Sequence, residues 1–331
     1  MIPFFNGRDV ELAVSPNEAY EAVRNAFVAY ARGEWTMQPK LYVTNYPAGD
    51  FRAMPALGGG HALLKWVTSF PGNPARGLPT VTGLVLLSNA ETGQLEAVLD
   101  AAAVTALRTA AAGVLAADTL CRPGASSTAV VGCGVNGAET ARMFVARGRD
   151  VTVWDVNGER AAAVARRLEI RVAPGLEEAL GSDVVVTVTP GRQILYAEGS
   201  LRPGQHVSLM GADGPGKAEI SAREIARSHL FCDGWEQGAT KGTSGPRVRL
   251  YCDEWQQASH GGELTRAVEA ELIERDDVTE LGHVLAGTAP GRQSDDDITL
   301  FDSTGLAIQD LGIAIAAMER ANALDLPTLD L

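Results

Sequence analysis

The chain has 331 residues, 46 % of them hydrophobic and 21 % charged, and 28 Lys and Arg against 41 Asp and Glu leave a formal net charge of −13. At ~150 residues per domain this is material for two domains of ordinary globular composition, which excludes one small core or a mainly disordered chain. The acidic balance, with no run of Lys and Arg to reverse it locally, opposes a phosphate backbone and argues against nucleic acid as a partner.

The first residues, Met1-Ile-Pro-Phe-Phe-Asn6, lack the basic-then-apolar order of a signal peptide. No stretch is expected to reach the ~20 uninterrupted apolar residues of a membrane span, so a cytoplasmic protein is expected. Cys121, Cys133, Cys232 and Cys252 form no Cys-x-x-Cys pair and have no His at finger spacing, so they read as reduced, small buried residues and no metal is expected.

Residues 15–33 space Ala19, Val23, Ala26, Phe27 and Tyr30 at helical intervals, and residues 41–43, 63–67 and 84–87 read as strands. Residues 100–117 are an Ala-rich helix that stops near Arg122-Pro123-Gly124, the first candidate domain boundary. Short apolar runs then alternate with helical segments, at 128–131, 151–154, 184–188, 206–210 and 229–232. Strands alternating with helices predict parallel βαβ units in a doubly wound, Rossmann-type α/β sheet. Residues 305–322 read as a last helix that returns to the first domain. The expected domains are therefore 1–122 with 300–331, and 123–299.

Val130-Val-Gly-Cys-Gly-Val-Asn-Gly137 ends a predicted strand and opens a helix, the context that G-x-G-x-x-G needs. Gly132, Gly134 and Gly137 would make a tight turn and let a pyrophosphate approach the backbone, where the helix N-terminus offers free amides. Val135 and Asn136 belong to the same expected cofactor contacts. Asp155, 21 residues beyond Gly134 at the end of the next strand, is placed to accept from ribose hydroxyls. No Arg or Lys immediately follows it to neutralise a 2'-phosphate, so NAD is expected rather than NADP, although Arg160 lies one helical turn further on.

The first domain also carries Pro39-Lys40, Arg52-Ala-Met-Pro-Ala56, Lys65-Trp-Val67 and Leu107-Arg108-Thr109. Lys65 sits inside an apolar strand and Arg108 inside an Ala-rich helix, where a long cation needs an anionic partner. At these residues the chain resembles the ornithine cyclodeaminase/μ-crystallin family, and within it the archaeal-type alanine dehydrogenases. The likeness extends over Gly77-Leu-Pro-Thr80, Gly211-Ala-Asp-Gly-Pro-Gly-Lys-Ala-Glu219, His260-Gly-Gly-Glu263 and Phe301-Asp-Ser-Thr-Gly-Leu-Ala-Ile-Gln-Asp310. The resemblance implies an α+β substrate and dimerisation domain completed by the C-terminal helix, a homodimer, and an active site facing the nucleotide domain. It implies that Lys40, Arg52, Lys65 and Arg108 surround a substrate carboxylate and that Asp213 works in acid–base catalysis; Lys65 and Asp213 are the expected catalytic residues, with Lys65 polarising the attacking water, and Thr109 is expected among the cofactor contacts. One departure stands out: the family's usual Gly-x-Gly-x-Gln-Ala reads Gly-Cys-Gly-Val-Asn-Gly here.

Asp213 also follows a predicted strand directly, where open parallel sheets bind their ligands. His260 reads either as a catalytic aid or as a loop histidine bonded to backbone. Asp302, Ser303 and Thr304 read either as a helix cap or as contacts to nicotinamide or substrate. The expected reaction is NAD-dependent, reversible oxidation of a small L-amino acid at Cα, alanine to pyruvate and ammonia. Ornithine cyclodeamination and imine or iminosuccinate reduction remain open, as does a non-catalytic NAD-binding role. The cyclodeaminases carry an acidic residue where this chain has Arg52, which disfavours a cationic substrate.

Overall fold

The computed structural model describes residues 1–214, 216–227 and 247–330. The chain divides into two compact units, Met1–Ala112 with Leu306–Leu331, and Gly113–Gly305.

In the first unit, α1 (Gly7–Ala13) and α2 (Pro16–Ala31) follow strand β1 (Ile2–Phe5). The start of α2 is written in Ser15-Pro-Asn-Glu18: Ser15 Oγ accepts from the Glu18 amide, the Glu18 carboxylate accepts from the Ser15 amide at 2.9 Å, and Pro16 occupies a position that needs no donor. Strands β2 (Thr36–Met37), β3 (Leu41–Asn45), β4 (Gly49–Gly58), β5 (His61–Ser69), β6 (Val81–Asn89), β7 (Leu95–Asp100) and β16 (Thr328–Leu329) join β1 in one sheet. Its order is β16-β1-β7-β6-β5-β4-β2, with β3 also on β4, and only β1 and β7 pair in parallel. Period-2 alternation sorts its two faces. One cross-strand row inside the unit runs Phe5, Leu99, Val85, Lys65, Met54, all buried. A row on the other face, Leu41, Ala53, Trp66, Leu84, leaves its three large residues exposed, with Leu64 exposed beside it. The C-terminal helix, Ala307–Glu319, packs on α2 and β4, as the expected return to the first domain requires.

The second unit is a sheet of eight parallel strands: β8 (Thr128–Val131), β9 (Val151–Trp154), β10 (Arg171–Val172), β11 (Val184–Thr187), β12 (His206–Leu209), β13 (Val248–Cys252), β14 (Val278–Glu280) and β15 (Ile298–Asp302). The order is β10-β9-β8-β11-β12-β15-β13-β14, so the first five strands follow the 3-2-1-4-5 order of a dinucleotide fold, with its switch point between β8 and β11. Helices α4 (Val135–Ala146) and α5 (Gly158–Leu168) make the crossovers from β8 and β9.

Two expectations change. The boundary near residue 300 moves past Gly305, because β15 is inserted between β12 and β13 as a central strand of the second sheet. The boundary near residue 122 moves back into α3 (Ala101–Leu120), whose later half belongs to the second unit; Ser208 Oγ donates to the Gly113 carbonyl at 3.1 Å. Helix α3 is, by length and composition, apolar enough to cross a membrane, although Arg108 and Asp118 interrupt its apolar run; 72 % of its most apolar window is buried within the protein, which accounts for the composition. The strand expected at 229–232 lies outside the described residues, and Cys232 with it. Cys121, Cys133 and Cys252 are free thiols.

Candidate active site

The glycine turn begins the site in the second unit. Gly132, at φ +104°, packs so closely that a Cβ there would lie 2.6 Å from the Val188 carbonyl oxygen, and one on Gly137 would lie 1.7 Å from that of Gly132. Only glycine allows this approach of helix to strand. Helix α4 starts at Val135, with Gly134 as an N-cap that makes no side-chain bond and has open space where a Cβ would be. The amides of Val135, Asn136 and Gly137 are thus the uncapped first turn of a twelve-residue helix, which fits a pyrophosphate. Val135 is exposed at that turn. Asp155 follows β9; its Oδ2 accepts from the Cys133 amide and its Oδ1 from the Asn157 amide, each at 2.7 Å. It therefore braces the glycine turn, with lone pairs left for ribose hydroxyls, while Asn157 rather than Asp155 caps α5.

In the first unit the sheet and the C-terminal helix bring Lys65, Arg108 and Asp310 together. Lys65 Nζ donates to Asp310 Oδ1 at 2.8 Å, and Arg108 Nε lies 3.6 Å from the same oxygen; Lys65 is 1 % exposed and Asp310 0 %. Burial draws the Lys65 ammonium down to about 8, with Asp310 opposing the shift and Arg108 and Arg52 adding to it. Gln309 Oε1 accepts from Arg108 Nη1 at 3.5 Å. Arg108 Nε, Thr109 Oγ1, Gln309 Nε2 and Asp310 Oδ2 are buried without hydrogen-bond partners, polar capacity of the kind a bound ligand completes. Arg52, on β4, donates through Nε to Asp50 Oδ1 at 2.6 Å and lies over the Tyr42 ring, 5.3 Å from its centroid. Leu41 faces Ala53 in the ladder, and half-buried Lys40 directly precedes β3. Two anions, Asp50 and Asp310, thus offset part of the expected cationic cluster. The rule that singled out Lys65, a charge amid apolar neighbours, applies equally to Gln309-Asp310 within its apolar helix and was the available signal for them.

Asp213 follows the end of β12 in the second unit, half-buried and ion-paired with Lys217 one helical turn's spacing away in sequence. Asp253, Glu219, Glu263 and Asp302 are among the buried acids described in the same unit. Asp253 accepts from the Thr304 amide at 2.7 Å, the Gly305 amide at 2.8 Å and the Ser303 hydroxyl at 3.1 Å. Ser303 and Thr304 therefore do not cap the C-terminal helix, which begins later with Leu306 as its N-cap residue. Burial raises the carboxyls of Glu219, Glu263 and Asp302, that of Glu263 to about 8, and neighbouring carboxylates add to the shift for the latter two. His260 lies on a short helix with Nδ1 2.8 Å from the Gln256 carbonyl oxygen, the backbone-bonded alternative. Burial lowers His206 to about 3, so the ring between Thr299 and Ser208 is neutral. Among the described residues no group of three or more His, Cys, Asp and Glu side chains is arranged to hold a metal.

Residues 4–325 match the profile of the ornithine cyclodeaminase/mu-crystallin family. The chain is 40 % identical over 322 residues to the alanine dehydrogenase of Archaeoglobus fulgidus, covering 95 % of this chain and 93 % of that protein. It is 30 % identical over 327 residues to the iminosuccinate reductase of Paracoccus denitrificans, covering 95 % of each. A solved archaeal alanine dehydrogenase dimer with bound NAD superposes with a TM-score of 0.87 at 38 % identity, covering 99 % of this chain and 98 % of that one. With its parallel nucleotide-type sheet, its glycine turn and its buried lysine and arginine around one carboxylate, the chain belongs to the ornithine cyclodeaminase/mu-crystallin family.

Proposed function

We propose that this protein is an NAD-dependent dehydrogenase that converts a small L-amino acid, alanine first, to its keto acid and ammonia, and runs the reverse reductive amination. The observation that carries the reading is the cluster of Lys65 and Arg108 around Asp310: two cations and one carboxylate, buried, with a surplus positive charge and unfilled donors. Such a cluster is completed by a carboxylate. Similarity to the alanine dehydrogenase supports the same choice.

Bound NAD would supply the hydride acceptor for the Cα–H bond, and NADH the hydride donor for the reverse direction. The first-turn amides of α4 with Gly132, Gly134, Val135, Asn136 and Gly137 hold the pyrophosphate, Asp155 reads the ribose, and Thr109 completes the contacts. Lys65 and Arg108, with Lys40 and Arg52, hold the substrate carboxylate and so fix the direction of the Cα–H bond; orientation of this kind supplies much of a barrier reduction. Asp310 fixes the Lys65 ammonium. Asp213, paired with Lys217, takes a proton from the substrate ammonium, passes it to solvent, and then takes a proton from the water that adds to the imine carbon; the resulting carbinolamine expels ammonia to leave the keto acid.

The protein acts as a cytoplasmic homodimer, and the exposed strip of Leu41, Leu64, Trp66 and Leu84 is the surface that the second copy covers. Asp at both 66 and 84 should yield a monomer by light scattering; an unchanged dimer places the interface elsewhere.

Absorbance of NADH with a panel of amino acids tests the activity. Accumulation with alanine is expected. Ammonia release from ornithine without NADH accumulation would instead mean cyclodeamination, in which the cofactor is recycled, and turnover of imino acids alone would mean imine reduction.

A further inference from the structure

Three buried carboxylates of the second unit form a chain that ends beside Asp213, and the reaction as described uses none of them. Asp302 closes β15, and its Oδ2 accepts from the Leu264 amide at 3.1 Å. Glu263, the preceding residue, accepts the Glu219 amide at 2.8 and 2.9 Å and the Ile220 amide at 3.3 Å. Glu219 in turn accepts from the Gly211 amide at 3.1 Å, Thr187 Oγ1 at 2.5 Å, and both the amide and the hydroxyl of Thr189, at 3.0 and 2.5 Å. Each acid grips the main chain beside the next one.

Gly211 and Glu219 stand on either side of Asp213 in sequence, and the Glu219 carboxylate joins the first of them to the end of β11. A Cβ on Gly211 would lie 2.4 Å from Glu219 Cδ, so the carboxylate occupies the space that any side chain at 211 would need. Asp302, Glu263 and Glu219 are all buried, at 1 %, 1 % and 0 % exposure. Buried acids in mutual repulsion are costly, and apolar residues would fill the same volume at less expense. What these acids provide that apolar residues cannot is a set of acceptors for specific amides, and those amides lead to the turn that bears Asp213.

We propose that Glu219, seated by Glu263, is a positioning residue for Asp213: it fixes the main chain at Gly211 against Thr187 and Thr189 and so holds the Asp213 carboxylate where it exchanges a proton with substrate. The inference rests on the reading of Asp213 as the acid–base group.

Glu219→Gln keeps the volume but replaces one acceptor oxygen with a donor among four donors. In this variant kcat should fall about tenfold or more, while KM for the amino acid and NAD affinity, read by NADH fluorescence, stay within about twofold. Backbone amides of Ala212 and Asp213 should exchange hydrogen about tenfold faster, with exchange in β8 and β9 unchanged. In an Asp213→Asn background Glu219→Gln should cause no further fall in kcat. Unchanged exchange at Ala212 and Asp213, or an equal fall in kcat in both backgrounds, overturns the proposal. Should Glu219→Gln fail to fold, Glu263→Gln leaves Glu219 its own four bonds and must show the same pattern in weaker form; its absence is equally decisive. If Asp213→Asn retains full turnover, the acid–base reading fails instead, and the exchange measurement alone decides whether Glu219 fixes that turn.

Discussion

The two units bury charge in opposite ways. In the first, Lys65 and Arg108 meet one carboxylate, Asp310, and donors and an acceptor in the cluster remain unfilled. In the second, Glu219, Glu263 and Asp253 are acids whose acceptors are met by backbone amides and hydroxyls of their own unit, and one oxygen of Asp302 alone among these four is left without a partner, with no cation beside it among the described residues. The first arrangement is electrically incomplete and invites an anion, whereas the second is largely satisfied and fixes main chain. Burial of charge therefore does not by itself mark a ligand site; unfilled capacity beside a surplus charge does.

The hardest test of the contrast removes charge from the first cluster. Lys65→Ala and Asp213→Ala should each lower turnover by ~10²–10⁴-fold, the first by losing a group that orients the substrate and the second by losing a positioned acid–base group, while NAD affinity holds. Lys65→Ala should also cost ~3–5 kcal/mol of stability, because Asp310 then keeps only the Arg108 contact. Adding Asp310→Asn should restore stability in denaturant titration without restoring turnover. If the double variant remains as unstable as the single one, the pair is not what makes Lys65 structurally necessary.

A smaller effect lies in pH. Lys65 loses its proton near 8, so its hold on a carboxylate weakens as pH rises through that value, and KM for the keto acid should climb by about tenfold per unit above it. Lys65→Arg should abolish the climb, since a guanidinium stays charged. Asp310 opposes the lowering at Lys65, so Asp310→Asn should move the break to lower pH. A KM–pH profile with no break in wild type would remove Lys65 from the carboxylate site.

Next in size is cofactor choice. Asp155 accepts the Cys133 and Asn157 amides, so Asp155→Ala would loosen the glycine turn itself. Asp155→Asn keeps an acceptor and removes the charge that repels a 2'-phosphate. It should shift the ratio of NAD to NADP affinity toward NADP by ~1–3 kcal/mol, about 5- to 150-fold, measured by fluorescence titration of each reduced cofactor. Equal weakening of both would mean that Asp155 braces the turn and reads nothing.

Much of this was legible in the chain. The alternation of strands and helices after residue 123 and the glycine turn with Asp155 located the parallel sheet and its switch point, because a βαβ unit writes both its periods and its turn into contiguous sequence. What escaped is non-local. β15 lies between β12 and β13 although it follows both in sequence, and no periodicity reveals an insertion in strand order. Lys65 was recognised as a cation in need of an anion, yet Asp310 lies 245 residues away and only the fold joins them. Arg52 and Asp50 illustrate the converse: two residues apart, they pair along β4, since alternate residues of a strand share a face, and that spacing was readable.

That last pair sets the finest test of the comparison, because it decides how much positive charge the first unit presents to a substrate. Asp50 takes Arg52 in a two-pronged contact, Nε to Oδ1 at 2.6 Å and Nη2 to Oδ2 at 3.4 Å, with both residues buried. A guanidinium so engaged has less to give a second carboxylate, which suits alanine better than a dicarboxylate. Asp50→Asn removes the competing anion and retains the side-chain volume, so the ratio of kcat/KM for aspartate to that for alanine should rise by roughly 3- to 10-fold, about 1 kcal/mol of discrimination. Arg52→Ala should cancel the gain, and Arg52→Glu should move preference toward ornithine. If Asp50→Asn changes stability alone and leaves the ratio as it was, Arg52 is a strap between β4 and Tyr42, and the side-chain selectivity of the site is written elsewhere.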